Sequence, residues 1–331
     1  MDTAKKNQVG AFLQNHAMVI LMILVAIVVG ILKPNFISGA NFKNLSVNTA
    51  VRFIVALGVS GCLITKGTDL SAGRLVGLGA CISGVLLQRI DYSDRFFPGL
   101  PDMPIIVALL IAVAVCSIFG IANGLIISYL KVPPFLTTLG MQIFVYGICL
   151  VFTGAKPIGG FKKSYTGFAN IAFINGYLSV LVIVAFICGL YMWFLYNKTR
   201  HGKYMYAIGG NESAAEVAGI NTKATLIRIY MLASIMYALA GFLWAAKSGG
   251  TSVNMGQGYE LEAIAACTIG GVSVNGGVGR VSGILVGVLV FELLKISLQF
   301  MGVETSYTYI VQGLVIIIAV ALDLRKYLAK K

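Results

Sequence analysis

The chain reads as an all-α integral membrane protein of about ten transmembrane segments, including short or broken helices, with both termini cytoplasmic. Three observations predict this. Hydrophobic residues make up 58% of the 331 and charged residues only 11%, against about a quarter charged in soluble domains. Mean hydropathy is +0.89. The apolar residues gather into runs near the roughly twenty-residue length that crosses a bilayer. Those runs claim almost the whole chain, so residues 1–331 make a single transmembrane domain with no soluble part larger than a loop. Any ATPase or ligand-capturing domain must then belong to another chain.

In order, the expected segments are 17–32, 50–64, 75–87, 104–130, 132–152, 177–196, 225–246, 261–271, 281–300 and 307–322. The third and eighth are too short to span alone. The first follows Lys5 and Lys6 as a signal peptide would, but Leu32-Lys33-Pro34-Asn35 offers no small-x-small cleavage pattern, which predicts a retained anchor. Lys5 and Lys6, the basic residues between Lys198 and Arg228, and Arg325, Lys326, Lys330 and Lys331 fall on one face, which positive charge marks as cytoplasmic. The 89–104 loop sets Asp91, Asp94 and Asp102 against Arg89 and Arg95 and falls outside. Lys156, Lys162 and Lys163 also fall outside, against the rule. The net charge of +13 therefore sets orientation and does not mark a nucleic-acid partner. All six cysteines lie in apolar runs without a Cys-x-x-Cys pair or a nearby histidine, as small packing residues do.

Two polar, glycine-bearing stretches lead into the two short segments: Lys66-Gly67-Thr68-Asp69-Leu70-Ser71-Ala72-Gly73 and Gly256-Gln257-Gly258-Tyr259-Glu260-Leu261-Glu262. Non-helical backbone at membrane depth is tolerated only where protein or a water-filled cavity satisfies it, so both are candidates to line a path. Asp69 or Ser71 either caps the following helix, worth about 1 kcal/mol, or faces that path. Glu262 fits the outer surface near a helix start, where a carboxylate favours the dipole. Glu292 and Lys295, three apart in an apolar run, predict an internal ion pair in preference to a proton relay. Small-residue pairs at Gly73/Gly77, Gly120/Gly124 and Gly283/Gly287 predict close helix packing. The run from Gly270 to Arg280 resembles a phosphate cradle but lacks the Gly-Lys-Ser/Thr ending, so no nucleotide site is expected.

One hydrophilic loop, 199–220, interrupts the oily chain between two membrane-length runs. It opens on Thr199-Arg200-His201-Gly202-Lys203, which marks it as cytoplasmic. Ala214, Ala215 and Ala218 at helical spacing, closed by Gly219, predict a short helix with a small-residue face that docks into a partner's groove. His16 and His201 belong to no plausible triad or metal cluster, so no catalytic site is expected. A channel would need a filter or repeated gating charges, which the sequence lacks. An ion-coupled secondary sugar transporter remains as an alternative, with Asp69 and Glu292 as its coupling carboxylates. An ATP-driven permease needs a cytoplasmic docking helix, and 199–220 supplies one.

The sequence resembles, over essentially its whole length, the permease subunits of bacterial ABC importers for ribose, galactose, xylose and related monosaccharides. The resemblance rests on Gly67-Thr68-Asp69-Leu70-Ser71-Ala72-Gly73, Asn123-Gly124, Pro134-Phe135-Leu136-Thr137-Thr138-Leu139-Gly140, Asn197-Lys198-Thr199-Arg200-His201-Gly202, Gly209-Gly210-Asn211, Ala214-Ala215 with Gly219-Ile220, Glu260-Leu261, Gly270-Gly271-Val272-Ser273 and Gly276-Gly277-Val278-Gly279. It implies import of a monosaccharide, most like galactose or methyl-galactoside, across the bacterial cytoplasmic membrane. It also implies three partners: a second permease copy, an ATPase with two fused nucleotide-binding domains, and an extracytoplasmic sugar-binding protein. No cofactor is expected in this chain; ATP and Mg would be used by the ATPase. The resemblance places ATPase docking on Gly210, Asn211, Ala214, Ala215, Gly219 and Ile220. A neutral sugar calls for hydroxyl and amide groups, so Thr68, Asp69, Ser71, Asn123, Thr137 and Asn275 are the candidates for the path.

Overall fold

Helix boundaries follow local chemistry. Ser38 Oγ accepts the Asn41 N–H at 3.2 Å and starts α2, Gly39–Ile64. Pro134 stands in the first turn of α5, Pro134–Thr153, where its missing N–H leaves no bond unmade. Ser179 and Asn221 cap α7, Val180–Lys198, and α10, Thr222–Ser248. The computed structural model describes residues 19–174 and 176–328. His16, Ala17 and the lysines at 5, 6, 330 and 331 lie outside the described residues.

The remaining helices are α1 (Val19–Leu32), α3 (Ala72–Leu86), α4 (Ile105–Tyr129), α6 (Lys163–Asn170), α8 (Arg200–Gly210), α9 (Glu212–Val217), α11 (Tyr259–Ile269), α12 (Val281–Phe300) and α13 (Thr305–Leu328). Each of the ten expected segments overlaps one of these helices or of α2, α5, α7 and α10. Among the described residues seven are long and apolar enough to cross a membrane, namely α2, α4, α5, α7, α10, α12 and α13. The third and eighth segments, α3 and α11, are short as expected, with 15 and 11 residues. α2 begins eleven residues earlier than expected, because the polar stretch of Asn41, Lys43, Asn44, Ser46 and Asn48 is helical as well (50 − 39 = 11).

α10 is the centre of the bundle and packs on α2, α3 and α4. All three small-residue pairs stand at close contacts: Gly120 and Gly124 against Tyr230 and Ile227 of α10, Gly73 and Gly77 against the 253–256 segment, and Gly283 and Gly287 against Gly270 and Ala266. The six cysteines are all buried and unbridged.

Four charges tie α2, α11 and α12 together. Arg52 Nε lies 3.0 Å from Glu262 Oε2 and 2.7 Å from Glu292 Oε1, and Lys295 Nζ lies 2.9 Å from Glu262 Oε1 and 3.5 Å from Glu292 Oε1. The expected Glu292–Lys295 pair is thus half of a neutral quartet. Glu262 is not a surface carboxylate as anticipated; two cations draw it into this cluster, where its side chain is 14% exposed. At the end of the bundle away from 199–220, Lys162 pairs with Asp102 at 2.7 Å, which offsets one of the lysines that breaks the charge rule. A two-stranded ribbon, β1 (Ala172–Phe173) with β2 (Leu178–Ser179), and bridges between Gln88 and Phe161 and between Ile158 and Thr251 complete that distal end.

Candidate functional site

The 199–220 loop folds into α8 and α9, and the sequence explains how. Asn211 Oδ1 accepts the Ala214 N–H at 3.0 Å and caps α9. At its far end Gly219 takes φ +80°, its N–H donates to Glu216 O at 2.9 Å, and the Ile220 N–H donates to Ala215 O at 3.0 Å. Those two bonds with a left-handed glycine are the Schellman arrangement, which needs a residue without Cβ. Ala215 is buried with Ile208 and Leu226, and Ile220 packs beside them. Ala214 and Ala218 are exposed. The three alanines therefore do not share an outward face, since Ala215 points the other way and pins α9 to its own chain. The outward strip is Ala214, Val217 and Ala218, spaced i, i+3, i+4, and Val217 is 90% exposed.

α8 locks this loop onto the bundle. A Cβ at Gly209 would overlap the Ile64 carbonyl at the end of α2. Gly277 N–H donates to that same carbonyl at 2.8 Å, Lys66 Nζ donates to Gly210 O at 3.1 Å, and Tyr206 Oη donates to Gly279 O at 2.8 Å. Asp323 of α13 accepts from Ser273 Oγ and Val274 N, each at 3.2 Å. Five stretches of chain, from α2, the 65–71 approach, α8, the 270–280 loop and α13, thus converge behind α9. His201 lies on α8, where burial and nearby Arg228 lower its pKa below the ordinary value.

The path candidates divide. Asp69 Oδ1 accepts from Ser71 N at 3.0 Å and from Ser71 Oγ at 2.6 Å, and Oδ2 accepts from Tyr237 Oη at 3.2 Å. Asn123 Nδ2 donates to Ser71 Oγ at 3.1 Å. The Thr68 carbonyl joins through Thr138 Oγ1 at 3.2 Å, and Thr138 also accepts the Leu70 N–H at 3.1 Å. Asp69, Ser71 and Asn123 are buried at 1%, 0% and 0% exposure, so they staple the broken start of α3 and face no open space. Thr137 stands apart, its hydroxyl donating to Pro133 O at 3.3 Å within its own helix. Asn275 stands apart too, in the loop behind α9.

Open space is found elsewhere. At the distal end lies a cavity of about 750 Å³ whose wall includes Tyr92, Trp244, Ser252, Asn254, Gln257 and Tyr259. Much of that wall is the 250–259 approach to α11, which runs down the side of α3 with Thr251 against Gly84, Met255 against Gly77 and Gly256 against Gly73. Asn254 and Gln257 are exposed.

The family model described as branched-chain amino acid transport system / permease component matches residues 41–320. The chain belongs to this permease family. It is 46% identical to the galactose/methyl galactoside import permease protein MglC of Escherichia coli (strain K12), over 95% of this chain and 94% of the relative. It is 43% identical to the protein of the same name in Haemophilus influenzae, over the full length of both, and 35% identical to the ribose import permease protein RbsC of Bacillus subtilis (strain 168), over 92% and 91%. No solved structure matches.

For a permease the two ends of the bundle offer different chemistry. The α9 end presents a small apolar strip on a rigid base, suited to being pushed or pulled by another protein. The distal end presents aromatic rings and amides around a space large enough for a small hydrophilic solute. Sequence reading gave no role to Val217, Trp244 or Asn254, and it quoted Thr138 only within a motif. Gln257 was within the stretch singled out, and its amide beside Gly256 and Gly258 was the available signal.

Proposed function

We propose that this chain is the membrane-spanning permease subunit of an ATP-driven importer for a monosaccharide, galactose or methyl galactoside, in the bacterial cytoplasmic (inner) membrane. The observation that carries it is 43–46% identity, over nearly the whole chain, to permeases named for galactose and methyl galactoside. The ribose permeases are more distant at 35% or less, which favours a hexose. The family description names amino acids, yet these full-length relatives are named for sugars.

On this reading all ten apolar helices lie in the membrane, both termini and α9 are cytoplasmic, and the distal cavity opens outward. Two copies enclose the path. An ATPase with two fused nucleotide-binding domains uses ATP and Mg and grips α9 of each copy, at Gly210, Asn211, Ala214, Val217 and Gly219, with Ala215 and Ile220 holding the helix from behind. A sugar-binding protein delivers hexose to the cavity. ATP binding draws the two α9 helices together, and the hub at Ile64, Gly209 and Gly277 passes that movement to α2 and the 270–280 loop, biasing which side is open. Ion coupling is disfavoured by the site itself: Asp69 is enclosed by its donors, and Glu292 belongs to a neutral quartet.

Uptake of labelled galactose into proteoliposomes holding this chain, its ATPase and its binding protein tests the proposal. Uptake is expected only with all components and ATP. Transport by the chain alone would overturn it. Val217→Asp is expected to reduce uptake severely and leave thermal stability within about 0.5 kcal/mol, because the side chain touches nothing in its own chain.

A further inference from the structure

Below the distal cavity, a set of polar groups from α3, α5 and α11 meets at hydrocarbon depth. Arg74, in the first turn of α3, is half-buried. Its guanidinium lies 4.1 Å from the centre of the Tyr146 ring, and Nη1 donates to the Val253 carbonyl at 3.2 Å. Glu260, at the start of α11, is 5% exposed. Its Oε1 accepts from Gln142 Nε2 at 3.3 Å, whereas Oε2 is buried with no hydrogen-bond partner. That oxygen rests against Gly73, where a Cβ would overlap it.

Depth follows from helix geometry. Gly241 of α10 touches the Val76 carbonyl; it lies seven residues before the distal end of α10 at Ser248, or roughly 10 Å, and Arg74 lies about 3 Å deeper still. Gln142 and Tyr146 are one turn apart on the same face of α5, both half-buried. Lipid does not tolerate an arginine on an open face at such depth, so this face meets water or another chain. Its continuity with the cavity favours water: Gln257 and Tyr259 line the cavity, and Glu260, bonded to Gln142, follows them directly in the chain.

Resting on the hexose-importer reading, we propose that Arg74, Gln142 and Tyr146 form the wall of the sugar's path directly below the cavity, with the buried Glu260 holding the Gln142 amide from behind. The chemistry suits a neutral polyol. The guanidinium and the amide can each bond sugar hydroxyls, and the Tyr146 ring beside them suits the sugar's C–H surface. None of these contacts requires the sugar to be charged.

Thiol accessibility tests this in the assembled importer. The six native cysteines are buried, so the parent chain gives the background for labelling by a small, permanently charged methanethiosulfonate. Gln142→Cys is expected to label severalfold faster than Phe144→Cys, which lies on the opposite face of α5 and is 59% exposed on the bundle's outside. Saturating galactose with the binding protein and ATP is expected to slow labelling of Gln142→Cys severalfold and to leave the control unchanged. Glu260→Gln is expected to keep the parent's thermal stability while moving less galactose per ATP hydrolysed. Labelling of Gln142→Cys as slow as the control, as a face sealed against a second copy would give, overturns the proposal. So does fast labelling that galactose does not slow. The parent's own ATP-dependent galactose uptake, measured in the same vesicles, separates these failures from failure of the hexose reading.

Discussion

The two interrupted helices, α3 and α11, look alike in sequence and solve different problems. Each is short, each is entered through a polar, glycine-bearing stretch, and the two meet where Gly73 touches Gly256 and Glu260. The approach to α3 turns its polar side chains inward, with Asp69 receiving bonds from Ser71 and Tyr237 and with Thr138 bridging Thr68 and Leu70, while Asn123 Oδ1 beside them stays buried and unpaired. The approach to α11 leaves Asn254 and Gln257 exposed beside a cavity and one oxygen of Glu260 unpaired. A break in a membrane helix therefore marks where backbone leaves the helical ladder. Which of two such breaks meets solute is decided by the polar side chains that stay exposed, here Asn254 and Gln257.

The largest expected effect tests how α11 is anchored. Arg52→Met leaves Glu262 and Glu292 facing each other with Lys295 alone between them, and breaking a buried charge cluster from one side costs roughly 3–5 kcal/mol. Thermal unfolding in detergent should fall sharply, and Lys295→Met should act in the same direction. An unchanged melting temperature would mean that the quartet is not what fixes α11 against α2 and α12.

Next in size is Asp69→Leu, which strips the acceptor from the Ser71 N–H, the Ser71 hydroxyl and the Tyr237 hydroxyl. A buried donor left unpaired costs about 1–3 kcal/mol, less where it finds another partner in the bundle. Loss of folded protein is expected, together with loss of transport. If Asp69→Leu instead melts with the parent and loses only uptake, the contrast between the two approaches is reversed and Asp69 faces the path.

Much of this architecture was legible in the sequence. Run length gave the ten apolar helices, glycine spacing gave positions of close helix packing, and Gly219 gave the end of α9. Alternation of polar and apolar residues did not say which side of a six-residue helix faces out, because alanine fits either side; Ala215 became an inner residue through Ile208 and Leu226, which lie in other helices. Asp69, Ser71 and Asn123 were singled out as candidates to line a path, and the structure brings them together as a buried cluster. Their burial was not readable, since it depends on Tyr237 arriving from 168 residues away. Glu262 was placed at the surface for a like reason: both of its cations come from elsewhere in the chain, Arg52 from α2 and Lys295 from α12.

The smallest expected effect on stability is also the most discriminating. The side chains of Asn254 and Gln257 are exposed and make no hydrogen bond within the chain; the 250–259 stretch is held by its own backbone turns, by the backbone bonds between Ile158 and Thr251 and by Arg74 with the Val253 carbonyl. Asn254→Ala and Gln257→Ala should therefore stay within about 0.5 kcal/mol of the parent in stability. Their effect should fall on transport: the apparent KM for binding-protein-delivered galactose rises while the ATPase rate without sugar stays at the parent's level. Loss of stability comparable to Asp69→Leu would put these amides in a structural role. The approach to α11 would then be as closed as the approach to α3, and the path would have to lie on another face of the bundle.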